Sequence, residues 1–186
     1  MRIVGGRHGG RALASLGKGD PAAHLRPTSD RVRESVFNVI ENGGYGDPIV
    51  GAKVLDLFAG TGAMGIEALS RGASEALFVE NGRKAQDLIR KNIRTLALDA
   101  AVLLRRDATR LGPSLAVFDV VFLDPPYGKG LGERAIAAAL SGGWIAPGAL
   151  VIWEESVPPV LPAELSQTDR RRFGDTWITL ARMHGA

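Results

Sequence analysis

The chain has 186 residues, of which 45% are hydrophobic and 23% are charged, a composition that suits one globular core and argues against a disordered chain. It contains no cysteine, which excludes disulfides, thiolate metal sites and a cysteine nucleophile. The first residues lack the apolar stretch of a signal peptide, and no apolar run reaches the ~18 residues of a membrane span. We therefore expect a cytoplasmic protein with no membrane partner.

Positive charge is concentrated near the start of the chain. Residues 1–33 carry seven lysines and arginines against two aspartates, a net charge of +5, which leaves −2 of the total +3 for the remainder. A basic arm of this kind suits a phosphate backbone, although a solvated terminus has the same pattern. Glycine pairs at 5–6 and 9–10 favour turns or a small hairpin. We expect residues 1–24 to form a basic extension outside the core and residues 25–186 to form the main domain.

Helical and extended patterns then alternate along the chain. Thr28 or Ser29 offers an N-cap for a first helix, which Asn42-Gly43-Gly44 ends. The predicted strands are 53–58, 76–79, 101–104, 117–123, 149–153, 165–173 and 177–183. Helices are predicted after the first, second and fourth strands. This alternation indicates an α/β fold with a mostly parallel seven-stranded sheet, helices on both faces and an antiparallel hairpin at the end.

A glycine-rich turn follows the first predicted strand. Gly60, Gly62 and Gly65 fit the pattern G-x-G-x-x-G, which lets the backbone pass close to a ligand and begins a helix whose N-terminus favours anionic groups. The pattern alone also fits a dinucleotide-dependent dehydrogenase. Asp56 favours S-adenosylmethionine, because a carboxylate near the loop would repel a pyrophosphate but can pair with the ammonium group of a methionine moiety.

Acidic residues also follow the next two predicted strands, at the sheet edge where parallel sheets bind ligands. Glu80 is placed to accept both ribose hydroxyls of a nucleoside, which serves S-adenosylmethionine and NAD alike. Asp107 can accept the adenine amino group. Surface carboxylates at strand ends would explain both residues without a ligand. The predicted cofactor contacts around this edge are Asp56, Phe58, Ala59, Gly60, Thr61, Gly62, Glu80, Asn81, Asp107 and Ala108.

The tetrad Asp124-Pro125-Pro126-Tyr127 follows the most apolar predicted strand, so we expect these four residues to be catalytic at the same edge. Two prolines can simply stiffen a loop. The tetrad also has a chemical use, because the lone pair of a purine amine is delocalised into the ring. Acceptors at the Asp124 carboxylate and the Pro125 carbonyl would draw that nitrogen toward a tetrahedral, reactive form. Tyr127 would stack on the base, and positioning would carry most of the rate.

Over nearly its full length the chain resembles the bacterial 16S ribosomal RNA guanine-N2 methyltransferases of the RsmD type. Beyond the glycine loop and the tetrad, the resemblance is carried by Arg2-Ile3-Val4-Gly5-Gly6, by Leu25-Arg26-Pro27-Thr28-Ser29-Asp30-Arg31-Val32-Arg33-Glu34 and by Leu69-Ser70-Arg71-Gly72-Ala73. It implies a Rossmann-like class I methyltransferase fold, S-adenosylmethionine as cofactor and methyl transfer to N2 of a guanine in 16S rRNA. The implied partner is that RNA within a small ribosomal subunit or an assembly intermediate.

The resemblance also implies roles for residues near the start of the chain. The extension would help to grip RNA, and Thr28 would border the cofactor pocket. The implied RNA contacts are Arg2, Arg7, Arg11, Arg26, Arg31 and Arg33. We expect a monomer.

Other conspicuous residues have simpler interpretations. The histidines at positions 8, 24 and 184 show no metal-ligand spacing, so no metal site is proposed. The run Arg170-Arg171-Arg172 lies in the predicted hairpin and is interpreted as a solvated face. The tryptophans at positions 144, 153 and 177 are expected to fill the core or an edge of the sheet.

Alternative functions stay open at this point. A tetrad of this type also suits amino methylation of DNA adenine or cytosine, or of another RNA, although a DNA enzyme usually carries an extra target-recognition domain. A dehydrogenase would need a hydride-transfer site, for which the sequence offers no candidate. A non-catalytic RNA-binding assembly factor would keep the fold without depending on Asp124.

Overall fold

The structure, a computed structural model, describes residues 1–15, 29–114 and 116–185. The helices are α1 (Asp30–Asn42), α2 (Ala63–Ser70), α3 (Arg83–Leu96) and α4 (Leu131–Ser141). The strands are β1 (Lys53–Leu57), β2 (Glu75–Glu80), β3 (Ala101–Arg105), β4 (Phe118–Leu123), β5 (Ile145–Glu155), β6 (Leu165–Phe173) and β7 (Thr176–Met183). Short 3₁₀ helices at Gly6–His8 and Ala108–Arg110 complete the elements of the described residues.

All seven strands form one sheet in the order β3-β2-β1-β4-β5-β7-β6. Strands β1 to β5 pair in parallel, whereas β7 runs antiparallel to both β5 and β6. The chain steps outward from β1 to β3 and then crosses back to β4 beside β1. This reversal makes the carboxyl ends of β1 and β4 the place where open α/β sheets bind ligands. The predicted parallel sheet with its antiparallel end is confirmed.

Burial on both faces of the sheet explains the apolar strands. Val120, Val121, Phe122 and Leu123 of β4 are each no more than 1% exposed, as expected for a central parallel strand. Helices α1, α2 and α3 share one apolar cluster, and α4 packs in a second cluster on the opposite face. Helix α1 begins where the Ser29 side chain accepts a 3.2 Å hydrogen bond from the Val32 amide. The sequence-based N-cap is therefore confirmed at Ser29.

The described part of the basic arm, residues 1–15, packs into the core, which corrects the expectation that this part lies outside. It forms the small hairpin that the glycine pairs predicted, with hydrogen bonds from the Ile3 amide to the Arg11 carbonyl (2.9 Å) and from the Leu13 amide to the Met1 carbonyl (3.1 Å). Ile3 and Leu13 are 0% and 6% exposed and belong to the cluster that contains α1, α2 and α3. The arginines between them obscured this pattern, because a two-stranded hairpin turns apolar and charged side chains to opposite sides.

A buried carboxylate joins the arm to α1 and α2. The Glu67 side chain is fully buried and accepts hydrogen bonds from the amides of Val4 (2.8 Å) and Gly5 (2.7 Å). Its oxygens also meet the Nε atoms of Arg33 (3.3 Å) and Arg71 (3.0 Å). Arg33 is itself 0% exposed, so the prediction that its side chain contacts RNA is wrong. The positive charge of Arg33 neutralises the carboxylate of Glu67. Such pairing is needed because a buried carboxylate is stable only when it is paired.

Candidate active site

The glycine loop takes backbone conformations that glycine favours. Gly60 and Gly62 have φ values of 57° and 79°, and Gly62 is the N-cap of α2. Phe58 has a φ of 59°, an unusual value for a side chain of this size, and strained conformations of this kind cluster at active sites. Gly65 is needed for space, since a Cβ there would lie 2.5 Å from the Phe78 ring. The loop is thus held tightly against β1 and β2.

Asp56 lies beneath this loop at the end of β1. It is 3% exposed, and its Oδ2 accepts a 3.0 Å hydrogen bond from the Gly65 amide. Burial raises the pKa of Asp56 to about 8; the Gly65 amide opposes this shift and the nearby Glu80 carboxylate adds to it. The Asp56 side chain is therefore mostly protonated at neutral pH when no cation lies beside it.

The raised pKa of Asp56 makes the stability of the ligand-free protein pH-dependent. Between the ordinary value of about 4 and the folded value of about 8, the native protein holds a proton that the unfolded chain has released. The free energy of unfolding should fall through this window and level off above it. Asp56→Asn keeps an acceptor for Gly65 but cannot ionise, so its curve should fall less over the same window. Urea denaturation of both proteins from pH 4.5 to 9 checks this, and parallel curves would contradict it.

The Glu80 carboxylate fastens the glycine loop to β2. Its Oε2 accepts from the Gly60 amide (2.9 Å) and its Oε1 from the Gly82 amide (2.6 Å), and the residue is 9% exposed. Asn81, the next residue, is exposed. Glu80 and Asp56 thus meet under one loop, as the sequence predicted. The structure also gives Glu80 a role in shaping that loop, which sequence analysis did not foresee.

Asp107 lies after β3 at the same edge and caps the 3₁₀ helix Ala108–Arg110. It accepts two 2.8 Å hydrogen bonds, from the amide and the hydroxyl of Thr109. Partial burial raises the pKa of Asp107, but the hydrogen bonds from Thr109 outweigh it and hold that pKa below its ordinary value. Asp107 is thus an ionised acceptor at neutral pH. Thr28, the remaining predicted cofactor contact, lies outside the described residues, as does the proposed boundary between residues 24 and 25.

The tetrad follows β4, next to the glycine loop. Asp124 is half-buried and Pro125 is buried. The Tyr127 hydroxyl donates a 2.6 Å hydrogen bond to Glu154 and lies 3.3 Å from the Thr176 hydroxyl. Burial, together with the bond to Glu154, raises the pKa of Tyr127 far above its ordinary value. Two residues that are distant in the sequence therefore hold the Tyr127 ring in place with its hydroxyl protonated.

A small cavity lies beside Asp124. It is lined by Val36 of α1 and Ile178 of β7 among others, and its volume is about 10 Å³. A space of this size suits a single water molecule.

Sequence analysis missed one polar residue that supports the glycine loop. Asn92 of α3 is 2% exposed, and its Nδ2 donates to the carbonyls of Thr61 (3.0 Å) and Ala14 (3.2 Å). Its Oδ1 accepts from the Ala14 amide (2.7 Å). Asn92 thus ties the arm to the cofactor loop. The signal was an amide three residues after Ile89, on the buried face of an amphipathic helix.

Four of the predicted RNA-contacting arginines are exposed: Arg2, Arg7, Arg11 and Arg31. Arg7 and Arg2 lie at opposite ends of the hairpin. The arm's tip, which carries Arg7, packs at the end of α2 opposite the glycine loop, where the His8 amide donates to Ser70 Oγ (2.9 Å). Arg2 lies at the other end, beside Asp30 at the start of α1. Arg26 lies outside the described residues.

Within residues 1–15, 29–114 and 116–185, no group of three or more histidine and acidic side chains is arranged to hold a metal ion. No helix in that part of the chain is long and apolar enough to cross a membrane.

Trp153 and Trp144 are 0% and 5% exposed, which confirms their prediction as core residues.

Comparison with known proteins shows the family to which this chain belongs. A family model described as "Conserved hypothetical protein 95" matches residues 1–182. The chain belongs to that family. Ribosomal RNA small subunit methyltransferase D of Escherichia coli (strain K12) is 38% identical over 170 residues, which cover 89% of this chain and 81% of that protein. This relative confirms the resemblance on which the sequence analysis relied.

Solved structures with the same fold as this chain carry the names of methyltransferases. A putative methyltransferase from Escherichia coli superposes with a TM-score of 0.84 at 36% identity and covers 100% of this chain and 99% of its own. A putative methylase from Haemophilus influenzae gives a TM-score of 0.79 at 30% identity and covers 98% of each chain. The predicted Rossmann-like class I methyltransferase fold is thereby confirmed.

Proposed function

We propose that this protein transfers a methyl group from S-adenosylmethionine to the N2 amine of a guanine in 16S ribosomal RNA. One observation carries the proposal: the Asp-Pro-Pro-Tyr tetrad lies beside the glycine loop at the switch point of a methyltransferase sheet. The Escherichia coli relative named for methylation of small-subunit ribosomal RNA supports the substrate class. We further propose that the protein acts as a cytoplasmic monomer on the small subunit or an assembly intermediate.

The residues around the glycine loop fit S-adenosylmethionine. The buried Asp56 carboxyl, whose pKa is about 8, would be stabilised as an anion by an ammonium group beside it. Glu80 and Asp107 are acceptors at the ends of the next two strands and suit ribose hydroxyls and an adenine amine. Loop residues 58–62, with Asn81 and Ala108, would border the same ligand. When bound, S-adenosylmethionine supplies a methyl group already activated on a sulfonium centre.

The tetrad would orient the amine that receives the methyl group. The Asp124 carboxylate and the Pro125 carbonyl are the two acceptors for its N–H groups, and Pro126 keeps the carbonyl direction fixed. The ring of Tyr127 would stack on the guanine, and its hydroxyl is held by Glu154 and Thr176. This division of work needs no general base before transfer, because alignment supplies most of the acceleration.

Methyl transfer assays on different acceptors test the proposal. Purified protein is incubated with tritiated S-adenosylmethionine and, in parallel, with unmethylated small subunits, naked 16S RNA, large subunits and duplex DNA. We expect tritium incorporation into 16S RNA, free or assembled, and background counts in large subunits and duplex DNA. Preferential labelling of DNA would favour the DNA alternative. Cofactor binding without transfer to any acceptor would favour a non-catalytic assembly factor.

A further inference from the structure

A groove of about 640 Å³ lies between α1 and the β6 strand. Ser35, Asn38 and Asn42 line the α1 wall, and Arg171 and Phe173 line the opposite wall. The volume is within the range of about 300–1,000 Å³ that is usual for ligand clefts. The proposed catalytic chemistry gives this groove no role.

The walls of the groove carry neutral hydrogen-bonding groups and positive charge. None of its lining residues is acidic. Arg171 has half of its side chain exposed and pairs through Nε with Asp169 at 3.0 Å, an exposed ion pair that contributes little to stability. Exposed Arg31 lies one helical turn before Ser35 and extends the polar stripe toward the start of α1. This chemistry suits a phosphate backbone with bases beside it.

One end of the groove reaches the catalytic tetrad. Phe173 lies directly opposite Thr176 in the β6–β7 hairpin, and the Thr176 hydroxyl is 3.3 Å from the Tyr127 hydroxyl. On the facing helix, Val39 lines the groove and Val36, one turn earlier, lines the cavity beside Asp124. An RNA strand that enters the proposed catalytic site could therefore continue along the groove.

We propose that this groove holds the single-stranded RNA next to the target guanine. Arg171 and Arg31 contact its phosphates, Phe173 offers a stacking surface for a neighbouring base, and the amides of Asn38 and Asn42 contact base or sugar groups. The inference rests on the proposed function, since it takes RNA as the substrate. The inference also revises the interpretation of the arginine run of β6 as a solvated face. Arg171 faces the groove, whereas Arg170 turns to the other face of the sheet, where its Nε donates to Thr179 Oγ1 (3.3 Å).

Binding measurements on matched variants test the groove. Affinity for unmethylated small subunits is measured by co-sedimentation at several salt concentrations for the wild type, Arg171→Ala, Phe173→Ala and the control Arg170→Ala. Arg171→Ala should weaken binding and reduce the salt slope by about 0.7, the value for one phosphate contact on a single strand. Phe173→Ala should weaken binding about 5-fold or more with the slope unchanged. Calorimetric affinity for S-adenosylmethionine should stay at the wild-type value in all three variants.

The outcomes separate this inference from the proposed function. If the wild type binds and methylates RNA but Arg171→Ala and Phe173→Ala bind as tightly as Arg170→Ala, the groove assignment is wrong and the function stands. If the wild type binds S-adenosylmethionine but neither small subunits nor 16S RNA, both fail. Thermal unfolding of each variant verifies that the change acts on binding and not on folding.

The absence of cysteine allows a direct probe of the groove. Asn38→Cys places a unique thiol in the groove, and Ser141→Cys places one at the exposed end of α4, on the other side of the sheet. An iron chelate attached to each thiol generates hydroxyl radicals that cleave nearby RNA. Cleavage of 16S RNA close to the methylated guanine from position 38, but not from position 141, is the expected result. Equal patterns from both positions would overturn the assignment.

Discussion

Replacing Asp124 with alanine is expected to reduce kcat for methyl transfer by about 10²–10³-fold, the usual cost of removing one positioned polar group from an active site. The reason is that the target amine would lose one of its two acceptors while the glycine loop stays in place. Affinity for S-adenosylmethionine should therefore change little. Single-turnover transfer to small-subunit RNA and calorimetric titration of the cofactor measure the two effects separately.

Two further variants sharpen the Asp124 prediction. Asp124→Asn keeps one acceptor oxygen without the charge and should fall between the wild type and the alanine variant. Asp87→Ala removes an exposed aspartate of α3 that pairs with Arg90, away from the tetrad, and should leave kcat unchanged. An Asp124→Ala protein with wild-type kcat would remove the tetrad from the catalytic chemistry.

Replacing Glu67 with alanine is expected to lower the free energy of unfolding by about 3–5 kcal/mol. The change would remove the one fully buried carboxylate that pairs with the buried Arg33 guanidinium and leave it only the partly exposed Asp30. It would also leave the amides of Val4 and Gly5 without their acceptor. The arm should then be held less firmly against α2, where the His8 amide still donates to Ser70. Urea denaturation gives the free energy, and faster hydrogen exchange at residues 2–5 reports the loosening.

Glu41 offers a matched control for Glu67, because it is also a glutamate that pairs with Arg71 but its side chain is 33% exposed. Glu41→Ala should cost no more than about 1 kcal/mol. Glu67→Gln keeps an acceptor and should lie between the two, which also provides a measurable variant if Glu67→Ala does not fold. Equal losses for Glu41→Ala and Glu67→Ala would contradict the role assigned to the buried carboxylate.

Local patterns were sufficient to predict most of the fold. The Ser29 cap, the glycine loop and the apolar run of β4 are each set by residues close together in the chain, so their positions could be predicted from spacing and propensity. The parallel sheet followed from the alternation of strands and helices. The sheet edge then brought Asp56, Glu80 and the tetrad together without any knowledge of side-chain contacts.

Contacts between distant parts of the chain could not be predicted in this way. Tyr127 is held by Glu154 and Thr176, which lie 27 and 49 residues further along the chain. Arg33 belongs to a basic segment by sequence, but its partner Glu67 is 34 residues away in the core. Charge along the chain indicates where cations are plentiful. It does not show which of them face solvent.

The arm illustrates the same limit and has a functional consequence. Its charge suggested a detached RNA-binding extension, yet Ile3 is buried and Ala14 is tied through Asn92 to the Thr61 carbonyl of the glycine loop. We therefore expect a change in the arm to alter the proposed cofactor binding as well as the proposed RNA affinity. The exposed Arg2 and Arg11 remain proposed RNA contacts.

The nucleoside formed by the enzyme tests the central claim most directly. Unmethylated small subunits are incubated with S-adenosylmethionine and the wild-type protein, and the RNA is digested to nucleosides for mass spectrometry. The proposed geometry, in which Asp124 and Pro125 accept from an exocyclic amine, predicts N2-methylguanosine as the new product. A methyl group on a ring nitrogen, a ribose hydroxyl or a base carbon would contradict it, because such a site offers no pair of N–H groups for the two acceptors.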